Sequence, residues 1–358
     1  MSTAAELKSL YKKGRKRKVI VIASILLALV VSIIISVSFG AGSPRFNEAM
    51  SVIFSKIFPS LGIDAGSKLT QTIILDLRLP RIVLAMLAGA GLAAAGATMQ
   101  GVLRNPLVSS YTLGISSAAG FGASLAIIFG IGVINSFGGY LIIVNAFCFS
   151  MLAMLLVYGI ARLRGMTTST MILAGVAISY LFSALSSLIQ YIAPEHTAVA
   201  QVVFWLMGGL SSATWQNIIF ILPIVVVTIV LMIQQSWNIN VLSMGESIAT
   251  SLGVNSKRVM AFAMILSTLV TAAIISFTGV IGFVCLVSPH LARMLIGGDH
   301  RFLIPCSVVV GACLLLCSDT VARLILAPAE LPVGIVTSLL GVPFFIYMLI
   351  SRRRQGWD

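Results

Sequence analysis

The chain has 358 residues, of which 59% are hydrophobic and only 9% charged, and its mean hydropathy is +1.08. Soluble domains are about half apolar and about a quarter charged, so this composition excludes water as the main solvent. An α-helix needs about 20 apolar residues to cross a bilayer, so the chain can hold about a dozen spans and has no room for a soluble catalytic domain.

The formal charge of +13 reflects membrane topology rather than nucleic-acid binding, because Lys and Arg form short clusters between apolar runs, with no basic face interleaved with aromatic residues. All five cysteines fall inside apolar runs, without a CxxC pair or a histidine at ligand spacing, which favours buried hydrophobic roles. Cys313 and Cys317 are four apart and are predicted to share a helix face, but a metal or redox role would need further ligands.

The first apolar run, 19–39, follows seven basic residues between Lys8 and Lys18 and superficially resembles a secretory signal. It is longer than the about 7 to 15 apolar residues of such a signal, so we predict a first span. Further apolar runs predict nine more spans, with the weakest division at Gly279. They cover 82–101, 111–134, 139–161, 168–193, 216–234, 259–279, 280–296, 302–326 and 333–350.

The distribution of basic residues supports this all-α, polytopic arrangement of ten transmembrane helices. With both termini in the cytoplasm, 17 of the 23 Lys and Arg residues fall on the inner side, as the positive-inside rule requires. The predicted organisation is a basic cytoplasmic segment (1–18), a ten-helix transmembrane domain (19–350) and a cytoplasmic tail (351–358).

Small residues recur at a spacing of four in two spans, which predicts close helix packing in lipid. The positions are Ala90 and Ala94, Gly91 and Ala95, and Gly114, Ala118 and Gly122.

The sequence LRLPR (77–81) places Arg78 and Arg81 three apart at the outer start of the second span, on one helix face. Snorkelling to the interface explains such arginines and is slightly favoured on charge alone. The alternative is a socket for the carboxylates of an external partner, which arginine can bind in bidentate fashion. Asp319 and Arg323, four apart in the ninth span, are predicted to pair.

The stretch 240–257 is a long inner loop whose apolar and polar residues predict a helix, a turn and a second helix, lying against a soluble protein or the membrane surface. Another polar stretch, 284–300, carries His290 and His300 near the inner face. Without a third ligand we expect hydrogen-bonded structural roles for them rather than a metal site. The phosphate-loop, HExxH and GxSxG motifs do not occur, and we expect no enzymatic activity and no cofactor.

After Arg45 the chain resembles the FecCD-type permeases, the membrane subunits of ABC importers for ferric siderophores, haem and vitamin B12. The resemblance rests on LRLPR (77–81), GAGLAAAGATMQGVLRNPL (89–107), LGISSAAGFGA (113–123), WLMGGL (205–210), LSMGESIATSLGV (242–254), GFVCLVSPHLARMLIG with DHR (282–301) and ELPVGIVTSLLGVPFF (330–345).

The resemblance implies a homodimer in the cytoplasmic membrane, with two cytoplasmic ATP-binding subunits, one external substrate-binding protein and no nucleic-acid partner. It also implies site residues. Arg78, Arg81 and Arg323 would dock the binding protein. Leu242, Gly245, Glu246, Ala249, Leu252 and Gly253 would couple to the ATPase. Asn105, Leu107, Thr168 and Ser169 would form translocation gates.

The expected function is therefore import of an iron chelate, first of all a ferric siderophore, by ATP-driven alternating access. Vitamin B12 and haem remain alternatives within the same architecture. A secondary transporter driven by an ion gradient is the alternative of another class, but Asp76 and Asp319, its nearest candidates for a coupling carboxylate, are both predicted close to the outer interface.

Overall fold

The structure is a computed structural model that describes residues 4–40, 44, 46–58, 60 and 66–351. Within these residues the regular secondary structure is helical, with no strand. The predicted tail beyond residue 351 lies outside the described residues.

Fifteen α-helices follow one another along the described chain. They are α1 (Ala4–Ser38), α2 (Phe46–Ile57), α3 (Lys68–Thr72), α4 (Leu79–Val102), α5 (Ile115–Phe129), α6 (Leu141–Leu163), α7 (Thr168–Tyr191), α8 (His196–Met207), α9 (Trp215–Gln234), α10 (Ser236–Ser243), α11 (Glu246–Ser251), α12 (Ser256–Thr278), α13 (Val284–Ile296), α14 (His300–Leu324) and α15 (Val333–Ser351). A π-helical segment, Ile73–Arg78, joins α3 to α4, and 3-10 turns precede α5 and α6.

Seven helical stretches in the described residues are long and apolar enough to cross a membrane, and four shorter apolar helices accompany them. The long ones contain α1, α4, α6, α7, α9, α12 and α14, and the shorter ones are α5, α8, α13 and most of α15. The polytopic helical fold is confirmed, whereas the count of ten spans stays a prediction. Helices α2 and α8 were not predicted as separate elements.

The two ends of the bundle are distinguished by their side chains. Ser36, Arg78 and Arg323 meet at one end, which the positive-inside rule makes the outer end. Asn240 and His300 meet at the other, the inner end.

Helix α4 is the centre of the bundle, because nineteen of its 24 residues are buried. It packs against α14, α12, α13 and α9. A spanning helix enclosed on several sides cannot carry large side chains all around, and α4 is accordingly rich in Ala and Gly.

The small residues of α4 let neighbouring backbones approach it closely. A Cβ atom added at Gly89 would collide with the backbone of Gly311 in α14, and one added at Gly96 would collide with the carbonyl of Cys285 in α13. In α5, a Cβ atom at Gly122 would lie 2.6 Å from the carbonyl oxygen of Asn145 in α6. The predicted close packing is therefore present, and it extends beyond the positions first identified.

The predicted weak division at Gly279 is a break between two helices. Helix α12 ends at Thr278 and α13 begins at Val284. Gly279 and Phe283 both adopt positive φ, 67° and 65° respectively, which turns the chain between them. Gly279 also contacts the carbonyl of Trp205, so the break is fixed by packing against the end of α8.

We predict that Gly96→Ala destabilises the protein by about 1–3 kcal/mol, because the new methyl group must displace the backbone of α13. Gly159→Ala is the matched control, since this glycine also lies within a spanning helix but has open space where its Cβ would be. It should be neutral or stabilising by up to about 1 kcal/mol. Thermal unfolding in detergent compares the two, and equal midpoints would contradict the packing argument.

Candidate functional site

Five charged side chains meet at the outer end and form what we call the outer arginine cluster: Arg78, Arg81, Asp319, Arg323 and Glu330. The π-helical segment before α4 brings in Arg78, with the Leu79 N–H bonded to the carbonyl of Ile74 rather than to that of Leu75. Arg81 follows in the first turn of α4.

Asp319 joins α4 to α14 at the centre of this cluster. Its Oδ1 accepts hydrogen bonds from Arg81 Nε at 2.9 Å and lies 2.9 Å from Arg81 Nη2. Its Oδ2 accepts from Arg323 Nε at 3.0 Å, which confirms the predicted pair. Asp319 is fully buried, so its charge requires both cations.

Arg78 and Arg323 both bind the carboxyl-terminal end of α1. Arg78 Nη1 donates to the Val37 carbonyl at 2.7 Å, and Arg323 Nη1 donates to the Phe39 carbonyl at 3.2 Å. Arg323 Nη2 also donates to Ser36 Oγ at 2.6 Å. The last carbonyls of a helix lack intrahelical partners and carry partial negative charge, so guanidinium groups stabilise them.

The predicted docking arginines are therefore together, but they are mostly buried. Arg78 is 6% exposed and Arg323 4% exposed, and the Arg81 side chain is 12% exposed. Glu330, whose Oε2 accepts from Arg81 Nη1 at 2.6 Å, is the most exposed of the ion-paired members at 37%. Sequence reasoning did not assign a role to Glu330, although it begins the quoted motif at 330–345.

At the inner end, α10 and α11 form the predicted helix, turn and helix. Gly245 (φ 123°) lies in the turn between them, and Gly253 (φ 77°) follows α11. Leu242 and Ala249 are buried and hold the pair against the bundle, whereas Glu246 is exposed at the start of α11.

Three exposed apolar residues recur at intervals of four across this helix pair: Met244 (66% exposed), Ile248 (46%) and Leu252 (62%). We call them the inner apolar ridge. Glutamate at a helix N-terminus favours the helix electrostatically. The ridge side chains have no such local effect, and exposed apolar groups of this size are typical of a surface that contacts a protein or the membrane.

A cavity of about 670 Å³ opens beside α10, between the ends of α4 and α13 and the starts of α7 and α14. Two predicted gate residues, Asn105 and Thr168, line it. The other two, Leu107 and Ser169, are exposed and are absent from its lining. Asn105 Oδ1 accepts from the Leu107 N–H at 2.9 Å and so holds this turn.

His300, which also lines the cavity, is held by hydrogen bonds, as predicted. Asn240 Oδ1 accepts from the His300 backbone N–H at 2.8 Å and lies 2.8 Å from its Nδ1, while Asn240 Nδ2 donates to Asp299 Oδ1 at 2.8 Å. Hydrogen bonds from Arg301 are the main cause that lowers the pKa of Asp299 to about 2, and burial opposes them. Asp299 therefore stays ionised at physiological pH and fixes the orientation of the Asn240 amide.

A groove of about 290 Å³ between α5, α7 and α8 was missed by sequence reasoning. Its polar lining is uncharged and consists of Ser116, Ser117, Ser183, Ser186, Ser187 and Gln190. Ser183 Oγ donates to Ser117 Oγ at 3.3 Å. The available signal was the recurrence of Ser at 179, 183 and 187 on one face of a predicted span.

A bundle of spanning helices with a polar groove is typical of a membrane permease. The FecCD transport family matches residues 28–351, and the chain belongs to this family. It is a multi-pass membrane protein and the permease subunit of an ABC importer, as the sequence motifs predicted.

Curated relatives cover nearly the whole chain. A molybdate import system permease of Haemophilus influenzae is 35% identical over 93% of this chain and 96% of its own. A hemin transport system permease of Yersinia pestis is 35% identical over 96% and 98%. An iron(3+)-hydroxamate import system permease of Bacillus subtilis is 36% identical over 94% and 84%.

A solved structure of a metal-chelate type ABC transporter in an inward-facing conformation has the same fold. It aligns with a TM-score of 0.80 and 33% identity, over 92% of this chain and 99% of that one.

We predict that Asp319→Asn destabilises the protein by about 3–5 kcal/mol, because it leaves the buried guanidinium groups of Arg81 and Arg323 without their shared carboxylate. Asp76→Asn is the matched control, since Asp76 is exposed at the same end and makes none of these contacts. It should change stability by less than about 0.5 kcal/mol. Denaturant unfolding in detergent measures both, and a mild Asp319→Asn variant would refute the role of the cluster.

Proposed function

We propose that this permease imports an iron chelate, a ferric siderophore in the first instance, across the cytoplasmic membrane by ATP-driven alternating access. Relatives of nearly equal identity act on hemin, iron(3+)-hydroxamate and molybdate, so cargo does not follow from overall identity. Haem and vitamin B12 are the alternative cargoes. The iron(3+)-hydroxamate relative and the metal-chelate type transporter support the iron chelate, whereas the hemin relative supports the haem alternative.

The inner apolar ridge is the observation that carries the ATP-driven part of this proposal. Met244 and Leu252 directly follow α10 and α11, Ile248 lies in α11, and all three are exposed at the inner end. A cytoplasmic ATP-binding subunit would cover these side chains, and Gly245, Glu246 and Gly253 would shape the contact. Leu242 and Ala249 are buried, so they would transmit movement of the pair to the bundle.

A homodimer with two ATP-binding subunits accounts for the serine-lined groove. Polar groups on spanning helices are costly against lipid and are placed where they face protein or a water-filled path. A second copy of the chain packed along α7 would enclose the groove and convert it into such a path. Hydroxyl and amide groups without charge let a hydrophilic cargo pass without binding it tightly.

At the two ends of this path we place the docking and gating functions. Arg78, Arg81 and Arg323 would receive acidic residues of an external substrate-binding protein, and Asn105, Leu107, Thr168 and Ser169 would control the inner exit. Asn105 and Thr168 line one cavity. Their proposed gating role is therefore better supported than that of Leu107 and Ser169.

A secondary transporter driven by an ion gradient is the competing hypothesis. Coupling ions are bound near the middle of the membrane in such proteins. Among the residues whose side chains the structure describes, every Asp and Glu lies in a loop or near the end of a helix. Asp319, which is fully buried, already pairs with two arginines.

Uptake by the reconstituted complex separates the two mechanisms. We expect accumulation of a radiolabelled ferric siderophore in proteoliposomes to stop when the ATP-binding subunit cannot hydrolyse ATP, and to continue when a protonophore collapses the proton gradient. The reverse pattern would establish a gradient-driven transporter. Ferric hydroxamate, haemin and cobalamin compared side by side would identify the cargo.

The ridge is tested by Ile248→Asp and Leu252→Asp. Each change places a charge in a proposed apolar interface and should weaken association of the ATP-binding subunit by about tenfold or more. Leu163→Asp is the matched control, because Leu163 is 86% exposed at the inner end of α6. Co-purification and ATPase stimulation are the readouts, and equal effects of all three substitutions would refute the assignment.

A further inference from the structure

The burial of the outer arginine cluster raises the question of how a partner's carboxylate could reach it. Arg78 and Arg323 are directed at the end of α1, and Arg81 bonds Asp319 through Nε. The other ion pair that the structure describes for Arg81 joins its Nη1 to Glu330. Glu330 is therefore the more exposed of the two carboxylates that Arg81 binds.

We propose that Glu330 binds Arg81 Nη1 in the undocked permease and that a carboxylate of the substrate-binding protein replaces it on docking. This proposal rests on the docking function proposed above. The exchange replaces one carboxylate by another at the same nitrogen. It lets a buried cation be recognised from outside without being left unpaired before the partner arrives.

The position of Glu330 in the chain suits an exchange of this kind. It lies in the segment 325–332 that joins α14 to α15, outside both helices. The Leu331 N–H donates to the Ala322 carbonyl at 3.1 Å, which anchors the backbone beside it. Rotation of the Glu330 side chain alone, without unfolding of a helix, can therefore release Arg81.

The charge of the cluster favours the incoming partner once Glu330 has moved. Three guanidinium groups face two carboxylates, Asp319 and Glu330, which leaves one net positive charge. Asp319 is fully buried and shared between Arg81 and Arg323, so it cannot leave at a comparable cost. Glu330 is 37% exposed and bonds only Arg81 among the described contacts. It is the carboxylate that can be exchanged.

Competition by Glu330 predicts that removing its charge strengthens docking. In the permease complex reconstituted in lipid nanodiscs, Glu330→Gln should tighten binding of the purified substrate-binding protein about two- to fivefold, the range for a partly exposed ion pair. The gain should shrink at high salt, where the charges are screened. Biolayer interferometry gives the dissociation constants.

Glu195→Gln is the matched control, because Glu195 is another exposed acid at the outer end, between α7 and α8. It removes the same charge but lies away from Arg81, and docking should not change. An equal gain from Glu195→Gln would show a general effect of surface charge and overturn the proposal. Unchanged or weaker docking of Glu330→Gln would also overturn it.

Arg81→Gln separates failure of the exchange from failure of the docking function. If the cluster docks the partner, this variant should bind the substrate-binding protein about tenfold or more weakly. The double variant with Glu330→Gln should then bind it no more tightly than Arg81→Gln alone. Full docking by Arg81→Gln would refute the docking role itself. Weak docking by Arg81→Gln together with no gain from Glu330→Gln would refute the exchange alone. Retained ATPase association confirms assembly, and Arg81→Lys replaces Arg81→Gln if assembly fails.

Discussion

The buried carboxylate of Asp319 is the interaction on which the outer half of the permease depends. It lies in α14 and binds Arg81 of α4 and Arg323 of its own helix. Arg323 in turn binds the last carbonyl groups of α1. Three spanning helices that lipid alone would not hold in register are thereby joined by charge. The cost of burying these charges is offset only while all the partners are present.

This constraint gives the three arginines proposed for docking a structural role as well. A guanidinium group exposed on its own could bind a partner, but it would not organise the helix ends. The buried cluster contains all three arginines and holds the outer ends of α1, α4 and α14 together. A partner would arrive at this end of the bundle. Asp319 links Arg81 of α4 directly to α14.

The inner end follows a different physical rule. Its helix pair is held to the bundle by the buried side chains of Leu242 and Ala249, and it leaves Met244, Ile248 and Leu252 exposed. Between the two ends, α4 is closely packed, because the backbone of Gly89 approaches that of Gly311 and the backbone of Gly96 approaches that of Cys285. Alternating access in this protein would therefore involve movements of packed helix groups rather than bending of α4.

The amino-acid sequence by itself determined the membrane class, the helical fold, the helix pair at 240–257 and the pairing of Asp319 with Arg323, because these depend on hydrophobic runs, charge distribution and spacing within one helix. Only the tertiary structure decided that the arginines predicted to dock a partner are buried, that Arg81 binds acids 238 and 249 residues away in the chain, and that serines from α5 and α7 line one groove. The physical reason is that burial and pairing between helices depend on which faces meet, and helical periodicity does not specify the partner of a face.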